Sequence, residues 1–472
     1  MNVITMLLIL VDVVIILILI PTVILQRRES GATFAWILTI VLLPYIGLIL
    51  FWIFGIKRLH FKRRKRNQAE KQISSNLNDN ISNNPDSSNL KNIPPSLINL
   101  AVNLDSKGPQ KGNEVTLFRS GLKTFNAIEE TIETASHHIH MVYYIWENDS
   151  TGQRIVNALI RACQRGVEVR VLIDGLGTRA TKKRFFYELI ASGGIVERFL
   201  PINRLGRHFN LNNRNHRKLI IVDGELGFTG GMNIGDDYSG LGQPWLDLHA
   251  KICGPAVYSL QEVFCQDWYH TTECDLTHSK YFPKSKASGD TWVQVLSSGP
   301  ADERWKNIYT LLFASINSAE TRVWIETPYF VPDTSIVMAL QTAALKGVDV
   351  RLLLPSKSDH PLVLNAGKSF YNELMLAGVR IFEVQNTMPH AKMVTIDGHF
   401  STLGSANMDQ RSFRLNFETN LFFYGRNVAK KLENNFIEIC NDTEEVNLSD
   451  RINLKIFQRI SEGIGRVLAP IL

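Results

Sequence analysis

The sequence predicts an α/β protein built from two copies of one unit, each a mixed, mostly parallel sheet flanked by helices. The copies are expected to pack as a pseudo-two-fold pair behind an N-terminal two-helix transmembrane hairpin. Three observations predict this class: two long apolar runs before residue 57, an internal repeat offset by 181 residues, and a motif-level repeat offset by 174. They divide the chain into a hairpin with a basic juxtamembrane segment (1–66), a flexible Asn/Ser-rich linker (67–95), a first repeat (96–285) and a second repeat (286–472).

A chain of 472 residues is long enough for about three folding units at roughly 150 residues each. With 45% hydrophobic and 20% charged residues, neither whole-chain disorder nor a polytopic membrane protein fits. The charge is segregated. Residues 1–66 carry nine Lys/Arg against two acids, whereas the remainder carries 42 against 43. The basicity therefore belongs to the membrane end, and the globular part has no charge excess to support nucleic-acid binding. Five cysteines without a CxxC pair indicate neither a disulfide framework nor a zinc site, and suit a reducing compartment.

Val3 to Leu25 is apolar apart from Asp12, and Gly31 to Ile56 is apolar again after the short polar break Gln26-Arg27-Arg28-Glu29-Ser30. About 20 residues at a rise of 1.5 Å cross a hydrocarbon core of about 30 Å, so each run is long enough to span. The first run is too long for a signal peptide and lacks a basic leader. Lys57, Arg58, Lys62, Arg63, Arg64, Lys65 and Arg66 outnumber Arg27 and Arg28, which puts the C-terminal side in the cytoplasm. The same bases suit anionic headgroups. Asn67 to Asn92 is rich in Asn and Ser and reads as a disordered tether ending at Pro94-Pro95.

Beyond the tether, Arg165 to Asp174 (RGVEVRVLID) recurs as Lys346 to Pro355 (KGVDVRLLLP). Each copy joins a helix end, a glycine and a buried-type strand, and a second β-rich run lies ahead of each, at Ile139–Trp146 and Val323–Phe330. Strand, helix, strand alternation is the signal for parallel strands covered by helices. His216-Arg-Lys218 through Asp223 then recurs as His390-Ala-Lys392 through Asp397, so HxKxxxxD appears twice. The match continues from Gly230-Gly231-Met-Asn233 to Gly404-Ser405-Ala-Asn407, and further on Asp247 aligns with Glu418 after a three-residue shift.

His and Lys two apart on a strand point to one face. Two such units across one interface bring two imidazoles and two ammoniums to one cleft, which suits phosphodiester exchange. One neutral imidazole attacks phosphorus, the other protonates the departing oxygen, and Lys218 and Lys392 bind the non-bridging oxygens. Asn233 and Asn407 can add amide donors to the phosphate, and Asp247 and Glu418 are placed to orient the imidazoles. Asp223 and Asp397 complete the motif, but one step past the strand they suit a turn or hydrogen-bonding role. A lysine beside each His would compete with a cation, so no metal is expected.

These residues resemble the phospholipase D superfamily, whose members share a duplicated α/β fold and a phosphohistidine intermediate. Within it, Ala35-Trp36-Ile37-Leu38 with Leu42-Leu43-Pro44, Gly227 to Tyr238 (GFTGGMNIGDDY), Ser297-Ser-Gly-Pro300 and Thr327 to Asp333 (TPYFVPD) look like the bacterial cardiolipin synthases. The resemblance covers all but the tether, which is longer and more polar. It implies a catalytic set of His216, Lys218, Asp223, His390, Lys392 and Asp397, with His216 as nucleophile and His390 as acid and base. It also implies phosphatidyl transfer between two phosphatidylglycerol molecules, giving cardiolipin and glycerol with no cofactor. The expected partners are phosphatidylglycerol and membrane lipids, in the cell membrane. A phospholipase D-type hydrolase, a tethered nuclease and a non-enzymatic scaffold are the competing readings. The hydrolase would share every catalytic residue, the nuclease is disfavoured by the near-neutral charge of the globular part, and a scaffold would be expected to lack one of the four His and Lys.

Overall fold

The computed structural model describes residues 3–26, 30–51, 90, 92–105, 107–201, 213–240, 245–300 and 306–469. The basic run 57–66 and the Asn/Ser tether as far as residue 89 lie outside the described residues. The chain divides into an N-terminal unit and a large unit that carries both repeats.

In the N-terminal unit Val3–Leu25 is one helix of 23 residues, long and apolar enough to cross a membrane. The second apolar run does not continue as one helix. It forms Ser30–Leu42 and Pro44–Leu50, because Pro44 disfavours helical backbone at Leu43, which sits at φ −138°, ψ 68°. The predicted pair of uninterrupted spans is thus one full-length helix followed by two short ones. Leu19, Val23, Ile40 and Phe51 bury one another within this unit, with Trp36 edge-on to Phe51 at 5.4 Å.

Among the described residues the large unit is organised by one sheet of fifteen strands, with two further short strands paired outside it. Its first seven are β1 (Gln110–Phe118), β2 (His138–Tyr143), β3 (Glu168–Asp174), β4 (Ile195–Phe199), β5 (Lys218–Val222), β6 (Leu226–Gly230) and β7 (His249–Cys253). Then come β8 (Thr291–Ser298), β9 (Arg322–Glu326), the short β10 (Phe330–Val331), β11 (Asp349–Pro355), β12 (Arg380–Val384), β13 (Met393–Ile396), β14 (Phe400–Gly404), the short β15 (Met408–Asp409), β16 (Glu418–Tyr424) and β17 (Glu444–Glu445). Outward from the middle one side runs β1-β7-β6-β5-β2-β3-β4, and the other runs β8-β16-β14-β13-β9-β11-β12, closed by β17. β10 and β15 pair separately.

The expectation of a mostly parallel sheet is corrected here. Only β2–β3, β3–β4, β9–β11 and β11–β12 are parallel, and every other neighbouring pair in the sheet is antiparallel. The crossover helices Ser150–Gln164 and Thr334–Leu345 generate parallel strands, as their periodicity predicts. The motif strands instead turn back through three-residue loops, 223–225 and 397–399. There Asp223 and Asp397 (φ 54° and 52°) and Gly224 and Gly398 (φ 69° and 70°) all occupy the left-handed region. An Asp-Gly pair between two apolar runs is a hairpin signal, and it outweighs the helix–strand alternation around it.

The helices Gly121–Thr134 and Ser150–Gln164 cover one end of the sheet, and Asn307–Ser318 and Thr334–Leu345 cover the other. A third core is common to both halves. It joins Leu219, Ile221 and Phe264 to Met393, Leu421 and Phe436, beneath the helices Ala256–Thr272 and Arg426–Asn441. This shared core ties residues of both motif strands together, although six strands separate β5 from β13 in the sheet.

Candidate active site

Each HxK segment enters its strand by pairing with the opposite half. Asn215 bridges Phe417 in parallel, with the His216 amide donating to the Phe417 carbonyl at 2.9 Å and the Phe417 amide donating to the Arg214 carbonyl at 2.8 Å. The equivalent residues repeat the arrangement in the other direction. Leu246 bridges Pro389, the His390 amide donates to the Leu246 carbonyl at 2.6 Å, and the Leu246 amide donates to Met388 at 2.9 Å. Buried Arg217 ties the first segment further, donating to the Glu418 carbonyl at 3.2 Å and pairing with Asp267.

The consequence is a crossed set of imidazole–carboxylate pairs. His216 Nδ1 lies 3.1 Å from a Glu418 carboxylate oxygen and 3.1 Å from the Ser405 carbonyl. His390 Nδ1 lies 2.7 Å from Asp247 Oδ2. Asp247 and Glu418 thus meet the imidazoles, each from the half that does not contain its histidine. Glu418 also accepts from the Ser405 hydroxyl and from Asn416 Nδ2, and Asp247 accepts from the Leu248 amide at 2.7 Å. The two carboxylates are not interchangeable. A Cβ on Gly231, the counterpart of Ser405, would stand 2.1 Å from Asp247 Oδ1. The first half therefore pairs a short carboxylate with glycine, and the second pairs a longer one with a hydroxyl.

Both lysines are fully buried and fold back on their own motif. Lys218 Nζ donates to the His216 carbonyl at 2.7 Å, and Lys392 Nζ contacts the His390 carbonyl and lies 2.8 Å from His390 Nδ1. Burial pushes Lys218 down to about 7 and Lys392 down to about 8, against the pull of the nearby carboxylates. Burial likewise lowers both histidines, His390 far below its ordinary value, with Lys392, Lys218 and His216 adding to the effect. Asp247 is pushed up to about 6 by burial. Burial acts on Glu418 in the same direction, but His216, Lys218 and the Ser405 hydroxyl overcome it and hold this carboxyl below its ordinary value.

The remaining predicted residues divide into two groups. Asn233 Nδ2 donates to the Tyr238 hydroxyl at 2.8 Å, and its carbonyl oxygen accepts from the Ile145 amide at 3.2 Å. Tyr238 lies edge-on to His390 with 5.4 Å between ring centroids, so Asn233 reaches the site through that ring. Asn407 is buried, and its side-chain oxygen has no hydrogen-bond partner among the described residues. Asp223 and Asp397 stand at the opposite ends of the motif strands from the imidazoles. Asp223 accepts from the amides of Ser136, His137 and His138, and Asp397 accepts from those of Glu320, Thr321 and Arg322, all at 2.7–2.9 Å.

Several residues at the site carried no sequence signal. Tyr144 stacks edge-on to His216 at 4.8 Å with Lys218 over its face, and Trp245 lies 4.8 Å from His390. Glu326 is buried at the end of β9, and burial beside Asp247 pushes it up to about 8. With Asp247 and Arg119 it lines a cavity of about 410 Å³ behind the carboxylate, which neither imidazole lines. Among the described residues no three His, Cys, Asp or Glu side chains converge as a metal site requires.

A doubled strand unit joined through one sheet, with crossed His–carboxylate pairs and a lysine beside each, defines a phospholipase D-like protein. A family model described as "Cardiolipin synthase, PLD-like domain" matches residues 128–268 and 312–440, and one described as "Phospholipase_D-nuclease N-terminal" matches 9–55. Cardiolipin synthase of Listeria monocytogenes serotype 4a (strain HCC23) is 37% identical over 468 residues, covering 96% of each chain. The major cardiolipin synthase ClsA of Bacillus subtilis (strain 168) is 36% identical over 461 residues, covering 95% of each. The chain belongs to the cardiolipin synthase family of phospholipase D-like proteins. The crystal structure of phosphatidylserine synthase from Haemophilus influenzae Rd KW20 shares the fold, with a TM-score of 0.62 at 16% identity over 80% of this chain and 100% of that one.

Proposed function

We propose that the protein is a membrane-bound phosphatidyltransferase that condenses two phosphatidylglycerol molecules into cardiolipin and glycerol through a phosphohistidine at His216. The observation that carries the reading is the environment of His216 Nδ1. Its two neighbours, a carbonyl and a carboxylate, are both acceptors, so Nδ1 holds the proton and the Nε2 lone pair is left free to attack phosphorus.

In the first half-reaction the His216 Nε2–P bond forms and the bond from phosphorus to the headgroup glycerol oxygen breaks. His390 gives its proton to that oxygen, and glycerol leaves. In the second, the terminal hydroxyl of another phosphatidylglycerol attacks phosphorus, His390 takes its proton, and the N–P bond breaks. One phosphodiester replaces another, so no external energy source is required. The arriving phosphodiester anion supplies the negative charge that keeps Lys218 and Lys392 protonated and raises His390 toward the imidazolium it must become. We assign Asn233 and Asn407 to the substrate phosphate, Asp247 and Glu418 to orienting the imidazoles, and Asp223 and Asp397 to holding the motif strands within the catalytic set.

The mirrored strand order supports a pseudo-two-fold relation between a first repeat over 96–285 and a second over 286–472. At the N-terminus, residues 30–50 with their break at Leu43 supply the second span of the hairpin, and the basic run that follows puts the catalytic part in the cytoplasm.

The experiment is product analysis with purified enzyme in phosphatidylglycerol vesicles. Cardiolipin and glycerol in equal amounts, with little phosphatidic acid, are expected, and excess glycerol should drive the reaction backwards. Phosphatidic acid as the main product would make the protein a hydrolase instead, and cleavage of DNA without reaction on lipid would make it a nuclease.

A further inference from the structure

The helix Ile456–Leu468 is amphipathic in the opposite sense to a helix that covers a core. Its inward face is small and polar. Gly465 packs so closely on the helix Pro361–Lys368 that a Cβ would stand 2.6 Å from the Ala366 nitrogen. Ser461 accepts from Asn365 at 2.9 Å, and Glu462 pairs with Arg451 at 2.7 Å. Arg466 locks the rotation of the helix, lying over the Phe370 ring at 4.5 Å and paired with Glu373 at 2.7 Å. The apolar residues consequently face out. Phe457 and Val467 are each 79% exposed, Ile456 is 70% exposed, and Ile460 and Ile464 are each 53% exposed, all within about a third of the helix circumference.

We propose that this helix docks the catalytic part on an anionic bilayer, lying in the headgroup layer with its apolar stripe at the acyl-chain boundary. Charge selects the occupant. Arg459 borders the stripe, exposed Lys455 precedes Ile456 at the helix N-cap, and neither has an ion-pair partner among the described residues. The one acid in the helix, Glu462, is turned inward. Apolar residues bordered by cations match an anionic lipid surface. A second copy of the chain fits poorly, because an isologous contact would bring like charges together, and five side chains fall well short of the roughly 20–30 residues a side in a stable interface. The choice of lipid as occupant rests on the lipid-enzyme reading, whereas the outward stripe stands on geometry alone.

The test uses the full chain reconstituted in vesicles, in a Cys274→Ser, His390→Ala background so that the readout does not depend on turnover. An environment-sensitive fluorophore is placed at Phe457→Cys, with Ile464→Cys as a second stripe position and Gln458→Cys as an off-stripe control. In phosphatidylglycerol vesicles both stripe labels should shift to the blue, lose quenching by aqueous iodide, and be quenched by spin labels at the lipid carbonyl depth. The control should stay open to iodide. Lys455→Glu with Arg459→Glu should reduce the shift several-fold. Stripe labels as open to iodide as the control in every vesicle would overturn the proposal. So would burial that appears in detergent and grows with protein concentration, which would make the stripe a contact between copies. Neither result would alter the product analysis that tests the transferase reading.

Discussion

At His216 two acceptors meet one ring nitrogen, while at His390 an acceptor and a donor compete for it: Asp247 Oδ2 at 2.7 Å and Lys392 Nζ at 2.8 Å. The first ring therefore keeps its proton on Nδ1, the tautomer the proposed nucleophile requires, and the second sits where the proposed acid and base would exchange its proton. Glu418→Gln should lower kcat by roughly 10²-fold or more, because an amide can donate to Nδ1 and stabilise the wrong tautomer. Asp247→Asn should act through the acid and base steps, and steady-state kinetics with full activity in both variants would remove the orienting role. Charge at these residues also sets the pH dependence. As pH falls through about 6, buried Asp247 gains a proton and its hold on His390 weakens; as pH rises through about 7 to 8, buried Lys218 and then Lys392 lose the charge proposed to bind phosphate. A pH profile of kcat/KM should therefore be a bell with its maximum between about 6 and 7. A profile still rising at pH 9 would contradict the assignment of the lysines.

The motif strand is the element that carries the site, and its two ends do different work. His and Lys lead into the strand at the junction, while the Asp at the far end binds three successive backbone amides of the neighbouring chain segment and starts a left-handed turn. Both Asp223 and Asp397 are held below the ordinary carboxylate range: burial opposes this, and the amide and hydroxyl donors outweigh it. A carboxyl depressed in the folded state contributes stability that is present above its unfolded pKa and lost as pH falls through the folded value, so both turns weaken in acid, below about 4. Asp397→Ala should cost about 1.5–3 kcal/mol in urea unfolding, and Asp397→Asn less, since Asn tolerates the left-handed turn. An unchanged urea midpoint would show that the amides find other partners. The doubled motif and the strand character of 218–222 and 393–396 are plain in the sequence, and so is the equivalence of Asp247 with Glu418. The direction of the sheet is less plain. Asp-Gly at 223–224 and 397–398 signals hairpins, yet the helix–strand alternation around it points to parallel pairing, which governs only the outer strands. Which histidine each carboxylate serves is decided by the bridges Asn215–Phe417 and Leu246–Pro389, contacts between distant segments that no local pattern encodes.

At the scale of the whole molecule, one sheet runs through both halves and one core lies across them, so neither half holds a complete site: each imidazole depends on a carboxylate from the other. On the proposed topology the N-terminal unit sets where that site works. A cysteine introduced between residues 67 and 89 should resist impermeant thiol reagents in intact cells and react after permeabilisation, and ready labelling of intact cells would invert the proposed orientation. The division of labour between the two histidines is the central claim, and trapping the intermediate tests it most directly. Enzyme mixed with phosphatidylglycerol radiolabelled in the phosphatidyl group, quenched in denaturant and mapped by peptide, should carry alkali-stable, acid-labile label on His216. His390→Ala should still accumulate some of that label and His216→Ala none. Label on His390, or no covalent label under turnover that still yields cardiolipin, would contradict the account.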